Sequence, residues 1–384
     1  MFGKLDISQL QQLWWIIASV VGSLFLFLSF VQGGQTLLLT TAKNDLEKSM
    51  VINSIGRKWE LTFTTLVLFG GALFAAFPLF YATSFGGAYW VWISILFTFI
   101  IQAVSYEFRK KPDNFLGAGT YEIFLFINGS VGILLIGAAV GTFFTGSNFQ
   151  LNDYNLVSWQ HPLRGLEAAF NLFNVSFGLF LVFLARVLGS MYLVNNIDFT
   201  NPALHDLEQR LRKETFTNLL IALPFLLYVL ISLLIMEGFS IDPATGTVFM
   251  EKYKYLHNLL AMPITLGLLL AGLVLVVLGV ITTRFSFKTS GIWFGGLGTV
   301  LTGLAIFFIA GFNNTPFYPS KFDLQSSLSI VNASSSHYTL TAMSYVALAV
   351  PFVLAYIAYF WRLMDARKLS AGEISDVHQA KELY

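Results

Sequence analysis

The chain has 384 residues, 56% of them hydrophobic and only 11% charged, against about 25% charged in a soluble domain. That balance describes a polytopic membrane protein, and a net charge of +1 points to no nucleic-acid partner. With no cysteine, disulfides, thiolate metal sites and a cysteine nucleophile are excluded.

The opening stretch, MFGKLDISQLQQLWW, carries Asp6 and lacks a small-residue cleavage site before a short apolar core. It reads as the lead-in to a first helix, not as a cleaved signal peptide. A membrane span needs about 20 mostly apolar residues. Nine stretches qualify: 13–31, 61–83, 88–107, 120–144, 166–194, 216–236, 259–283, 289–312 and 339–361. Pro78, Pro224, Pro263 and Pro351 fall inside them and are tolerable, because neighbouring helices can satisfy the freed backbone groups. Trp14, Trp15, Tyr89, Trp90 and Trp361 lie near span ends and read as interface anchors. The pairs in FGGALF and WFGGLG read as sites of close helix packing.

Lys and Arg set the orientation, because positive loops stay in the cytoplasm. The loop after the first span holds Lys43, Lys48, Arg57 and Lys58, and the loop after the third holds Arg109, Lys110 and Lys111. Arg210, Arg212 and Lys213 follow the fifth span, Arg284 and Lys288 the seventh, and the tail carries Arg362, Arg367, Lys368 and Lys381. The opposite side has only Lys4, Arg164, Lys252, Lys254 and Lys321. The N-terminus is therefore expected outside and the C-terminus in the cytoplasm.

Long polar connections fall at 32–60 and 195–215 inside, and at 145–165, 237–258 and 313–338 outside. The last is rich in Ser, Asn and Pro, and loops of that length usually serve function or contacts. The expected fold is an all-α membrane protein of nine transmembrane helices, arranged as two four-helix bundles plus one extra helix. Its parts are 1–144, with helices 1–4 and the cytoplasmic loop 32–60; 145–312, with helices 5–8; and 313–384, with the outer loop, helix 9 and the tail. The polar tail 363–384 reads as either a short surface segment or a disordered one.

Few ionisable groups touch the spans: Glu60, Glu107, Glu122, Glu167 and Arg186. Glu60, Glu107 and Glu122 all fall near the cytoplasmic surface. Carboxylates gathered at one depth can form a proton entry point, since burial brings their titration towards neutral pH. The alternative is that each is an interfacial carboxylate, solvated or paired with Arg57, Lys58, Arg109 or Lys110. Arg186 is expected to snorkel towards the cytoplasmic headgroups, and Glu167 to lie at the outer interface. His161, His257 and His337 belong to the outer side and His205 and His378 to the inner side, with none in mid-membrane. A haem within a bundle usually needs a His or Met axial ligand on a helix. Met191, Met236, Met262 and Met343 read as core filler, so no haem of the chain's own is expected. No phosphate-binding glycine loop, zincin helix or nucleophile elbow is present. The NGS at Asn128 lies inside a span and reads as a chance glycosylation match. A secondary transporter would place ionisable or broken-helix sites near mid-membrane. A purely structural subunit would leave the acids at one face unexplained.

The stretch NDLEKSMVINSIGRKWELTFTTLVLFGGALFAAFPLFYATSF closely resembles the first loop and second helix of subunit II of cytochrome bd quinol oxidase. AVSYEFRKK resembles the end of that family's third helix, and FYPSKFDLQSSLSIVNASSSHYTLTAMSYV its loop before the last helix. The resemblance implies a prokaryotic inner-membrane complex with a haem-bearing subunit I, which ligates haem b and haem d. Small single-helix subunits and a structural quinone or lipid would fit the same picture. The complex would oxidise membrane quinol and reduce dioxygen to water with protons from the cytoplasm, electrogenically and without pumping. By position, Glu60 matches a family acid after Trp and would take up protons, with Trp59 orienting it. Glu107 matches the acid ending helix 3, and Arg109 the arginine beside it; Gln102 and Glu122 would play supporting parts. In LSFVQGGQTLLL, Gln32 and Gln35 stand where family acids would, Gln102 stands where Arg is frequent, and Asn332 stands where an acid can occur. A surviving path would therefore rest on Glu60 and Glu107.

Overall fold

Long apolar runs close their backbone hydrogen bonds within themselves, which is what a lipid environment demands of a spanning segment. In the computed structural model, which describes residues 2–111 and 114–375, nine such helices are present among the described residues. They are α1 (Ile7–Thr40), α2 (Asp45–Ala76), α3 (Tyr89–Phe108), α4 (Ala118–Thr145), α5 (Leu172–Asn196), α6 (Pro202–Ile235), α7 (Pro263–Arg284), α8 (Gly291–Gly311) and α9 (His337–Met364). A short α10 (Ala371–Ser375) follows. The remainder of the expected tail, with His378 and Lys381, lies outside the described residues.

Their ends differ from the sequence expectation in an instructive way. The connection 32–60 is mostly helix: α1 continues over Phe30–Thr40 after a break at Ser29, and Asp45–Gly56 forms the first part of α2. Gly33 and Gly34 are what carry α1 onward, because the chain passes α5 in direct backbone contact there. A methyl added to Gly33 would fall on the Ala185 carbonyl oxygen, and Gly189 of α5 meets the Gly34 amide in return. Most of the connection 195–215, from Pro202 onward, is likewise absorbed by α6, whose polar first turns fall below the hydropathy of a span. Of the four prolines, only Pro224 sits within a continuous helix. Pro78, Pro263 and Pro351 instead begin helical segments, where the missing N–H costs nothing.

The outer connections also carry strands, so the fold is mainly rather than wholly helical. β1 (Phe149–Leu151) pairs antiparallel with β2 (Val157–Trp159), placing Phe149 opposite Trp159. β3 (Glu237–Ile241) pairs with β4 (Val248–Lys252), placing Glu237 opposite Lys252. Between β3 and β4, Gly246 takes φ +70°, a left-handed turn conformation that glycine adopts without strain. The expected outer loop 313–338 is pinned by bridges from Tyr318 to Leu328 and from Ser147 to Ser320.

α1 and α5 are the most enclosed helices, and they pack against each other. α1 also packs on α2 and α8, and α5 on α6 and α4. Trp14 and Trp15, expected as interface anchors, are buried instead. Their indole N–H groups donate inward, Trp14 to Ser344 Oγ at 3.1 Å and Trp15 to the Phe307 carbonyl at 3.1 Å.

Candidate functional site

The site is built where the second part of α2 begins, at Trp59, beside the ends of α3 and α4. Glu60 is the second residue of that helical segment, where free backbone N–H groups favour an anion. Its side chain is exposed, and it makes no ion pair or side-chain hydrogen bond among the described residues.

The two cations just before Glu60 do not neutralise it, because the C-terminal segment takes both. Lys58, fully buried, donates to Asp365 Oδ1 at 2.9 Å beneath the Trp361 ring, whose centroid lies 5.1 Å from Nζ. Asn196 Nδ2 donates to the same Asp365 oxygen at 3.0 Å. Arg57 pairs with Glu373 of α10 at 3.0 Å. Between them the chain lies along Ile197, with reciprocal backbone bonds from Leu369 N–H to Asn196 and from Asp198 N–H to Leu369. These residues form a strap across one end of the molecule.

Trp59 stacks on Tyr106 of α3, with ring centroids 5.7 Å apart and planes 14° apart. The Trp59 indole N–H is buried without a partner. Tyr106 Oη accepts from Gln35 Nε2 at 3.2 Å, which links the aromatic pair to α1.

The other acids have separate surroundings. Glu122, at the start of α4, is 5% exposed and is held from both sides. Arg109 donates to Oε1 from Nη2 at 2.8 Å and from Nε at 3.2 Å, while Lys48 Nζ donates to Oε2 at 2.7 Å. Glu107 points outward, 61% exposed, with Lys111 at 3.1 Å. Gln102 is buried in α3 and accepts from Gln32 Nε2 at 3.1 Å. The structure thus joins Arg109 with Glu122 and Trp59 with Tyr106, but it does not gather the three carboxylates at one point.

Arg186, expected to reach towards the cytoplasmic headgroups, has protein partners and lies 3.6 Å from Glu214. It donates to Asn218 Oδ1 at 2.7 Å, Thr36 Oγ1 at 2.9 Å and Thr40 Oγ1 at 3.1 Å, tying α5 to α6 and α1. Glu167 lies outside α5, in the short turn Leu166–Phe170, beside His161 at 3.5 Å. His257 bonds Glu251 at 2.6 Å. Among the described residues, no group of three or more His, Asp or Glu side chains could hold a metal ion. Sequence reasoning missed the strap. Its signal was a single acid, Asp365, amid the bases of WRLMDARK.

Residues 10–364 match the family model described as cytochrome bd terminal oxidase subunit II. The chain is 27% identical over 376 residues to the cytochrome bd-I ubiquinol oxidase subunit 2 of Escherichia coli (strain K12), covering 94% of this chain and 95% of that protein. It is 27% identical over 367 residues to the cytochrome bd ubiquinol oxidase subunit 2 of Bacillus subtilis (strain 168), covering 94% and 97%. A chain of the bd oxidase structure from Geobacillus thermodenitrificans superposes with a TM-score of 0.54 at 13% identity, over 92% of this chain and 99% of that one. At that identity the superposition speaks to fold alone.

Proposed function

Because this chain belongs to the cytochrome bd terminal oxidase subunit II family, we propose that it is the haem-free partner of a haem-bearing subunit I and that it admits cytoplasmic protons at Glu60. It is a multi-pass protein of a prokaryotic cytoplasmic membrane and a component of an oxidoreductase complex. The complex would oxidise quinol and reduce dioxygen to water electrogenically, without pumping. Haem b and haem d would sit in subunit I, with small single-helix subunits as further partners. The N-terminus would lie outside and the C-terminus in the cytoplasm, as the Lys and Arg distribution suggests.

The observation that carries the proton role is the uncompensated Glu60. A carboxylate at the mouth of an apolar helix, with its two neighbouring cations held by Asp365 and Glu373, is left unpaired and open to solvent. Trp59, fixed by Tyr106, would hold the helix start in register, and Glu107 would be a second acceptor on the same face. Arg109, Glu122 and Gln102 would support that end of the bundle. A structural quinone or lipid would be a further ligand of the complex; the enclosed aromatic cavity lined by Phe69, Phe85, Trp92, Phe307 and Tyr318 holds only about 50 Å³. The division into helices 1–4 and 5–8 is supported by packing partners that repeat under a shift of four helices. α1–α2 corresponds to α5–α6, α3–α4 to α7–α8, and α4–α5 to α8–α1.

A tagged copy of the chain should co-purify with a second large subunit, and the reduced-minus-oxidised spectrum should show haem b and haem d. A colourless, partnerless preparation from membranes that retain both would sink the oxidase reading. Glu60→Gln keeps side-chain size and removes the charge, so the assembled variant should lose about tenfold or more in turnover. Normal turnover and normal membrane potential in that variant would leave the chain a scaffold.

A further inference from the structure

Helix α9 changes character halfway along. Its outer half, His337–Ala347, packs on α1 and α2 and buries Leu340 and Ser344. The helix then breaks at Leu348 and Ala349, ahead of Pro351, whose missing N–H suits the start of a new segment. No residue of the inner half, Val350–Met364, is buried. Trp361 keeps that half from closing on the bundle. Its ring centroid lies 6.3 Å from that of Phe27 and 5.8 Å from that of Phe30, both in α1. It lies 6.5 Å from Tyr192 of α5 and 6.3 Å from Trp293 of α8. Set among four aromatic rings, Trp361 acts as a spacer, and the strap fastens the chain just beyond it at Asp365.

The gap that results is a groove of about 850 Å³ between α1, α8 and α9. Phe27, Trp293, Leu354 and Ile357 make its walls mainly apolar. Such walls give water too few partners to stay. Towards the strap the groove turns polar, and its charges there are not balanced. Asp365 is engaged by Lys58 and Asn196, and Asn195 Nδ2 donates to the Thr289 carbonyl at 2.9 Å. Arg362 also lines the groove, and it makes no ion pair or side-chain hydrogen bond among the described residues. Arg367 and Lys368 follow, both exposed.

The groove therefore suits a ligand with a long apolar part and an anionic head at the level of Arg362. A guanidinium matches phosphate oxygens with parallel N–H groups, and basic pockets between membrane helices take acidic headgroups. A quinone has no charge to offer Arg362. An apolar helix of a neighbouring subunit would bury that cation unpaired, a desolvation cost that nothing repays. Free phosphate would leave the apolar walls bare.

We propose that this groove holds one anionic phospholipid, its acyl chains along Phe27, Trp293 and Leu354 and its phosphate on Arg362. The inner half of α9 is then seated on the bundle through the lipid. Placing the lipid in the cytoplasmic leaflet rests on the orientation proposed above; the groove and the class of ligand do not.

The assembled complex in phosphatidylglycerol nanodiscs tests this by cryo-electron microscopy. Two-tailed density should fill the groove, with headgroup oxygens about 2.7–3.2 Å from the Arg362 guanidinium. An empty groove, or one filled by side chains of another subunit, would overturn the proposal. Native mass spectrometry of the delipidated complex titrated with phosphatidylglycerol gives a second readout. Arg362→Gln should weaken retention of one lipid about fivefold. Ala358→Trp fills the groove from its α9 wall without changing charge and should abolish that retention. Arg367→Gln, outside the lining, should keep most of it. Equal retention by the wild type and Arg362→Gln, or equal retention of phosphatidylglycerol and phosphatidylcholine by the wild type, would also overturn the site. The haem spectrum of the same samples reports separately on the oxidase reading, because loss of the groove lipid should leave the haem b and haem d bands in place.

Discussion

Glu107 and Glu122 carry the same chemistry in opposite surroundings. Glu122 is sealed between Arg109 and Lys48, so neutralising it strands a buried guanidinium. Removing one partner of a buried pair typically costs about 3–5 kcal/mol, so Glu122→Gln should sharply lower the thermal midpoint and yield of the purified complex. The exposed pair of Glu107 with Lys111 belongs to a class worth about 0–1 kcal/mol. Glu107→Gln should leave the same midpoint almost unmoved, and a large fall would show that the side chain is covered in the complex. The bond from Arg109 to Glu122 was legible in the sequence, because both residues flank one short loop. Lys48 was not, since it arrives from another helix. The diversion of Arg57 and Lys58 away from Glu60 was equally hidden, because their partners lie at the far end of the chain.

Helix α1 illustrates what hydropathy leaves out. Its apolar run was easy to see, yet its continuation through Gly33 and Gly34 depends on contact with α5, which no local pattern reports. Gly33→Ala should force the helices apart, at about 1–3 kcal/mol or more, and reduce assembled complex. Gly71→Ala on α2 meets open space and should be tolerated, which makes it the control. The β3–β4 hairpin adds a pH-dependent element. Burial alone would raise the Glu251 carboxyl, but hydrogen bonds from His257 and Ser240 and the nearby Lys254 charge outweigh it and hold it below the usual glutamate range. A depressed carboxyl contributes stability that is full above the ordinary glutamate range and is lost as pH falls through the folded value. The gap in thermal midpoint between the wild type and Glu251→Gln should therefore narrow from about pH 6 to about pH 3. A constant gap would mean that the bonds to Glu251 do not depend on its charge.

Across the whole molecule, the number of spans was readable because a bilayer demands about 20 mostly apolar residues of every spanning helix. Their packing order was not, because it is set by glycines and amides at helix–helix contacts. The helices divide sharply by enclosure. α5 is mostly buried inside the molecule, whereas α9 is almost wholly exposed. α9 is nevertheless tethered at its end by the strap. Asp365→Ala would leave Lys58 buried and unpaired, so the strap should detach more often. Each 1.4 kcal/mol lost in its docking should speed tryptic cleavage after Arg367 and Lys368 about tenfold. An unchanged cleavage rate would show that the Leu369 and Glu373 contacts suffice.

The strap also bears on how the protein is made. Lys58 leaves the ribosome 307 residues before Asp365, and Arg57 precedes Glu373 by 316. During insertion of the second helix both cations are therefore unopposed, which is when a positive flank biases the direction of threading. Their neutralisation waits until Asp365 and Glu373 have been translated. A chain truncated before Asp365 would hold all nine described spans yet keep a buried, unmatched lysine, so translation through Asp365 becomes a condition for a settled fold.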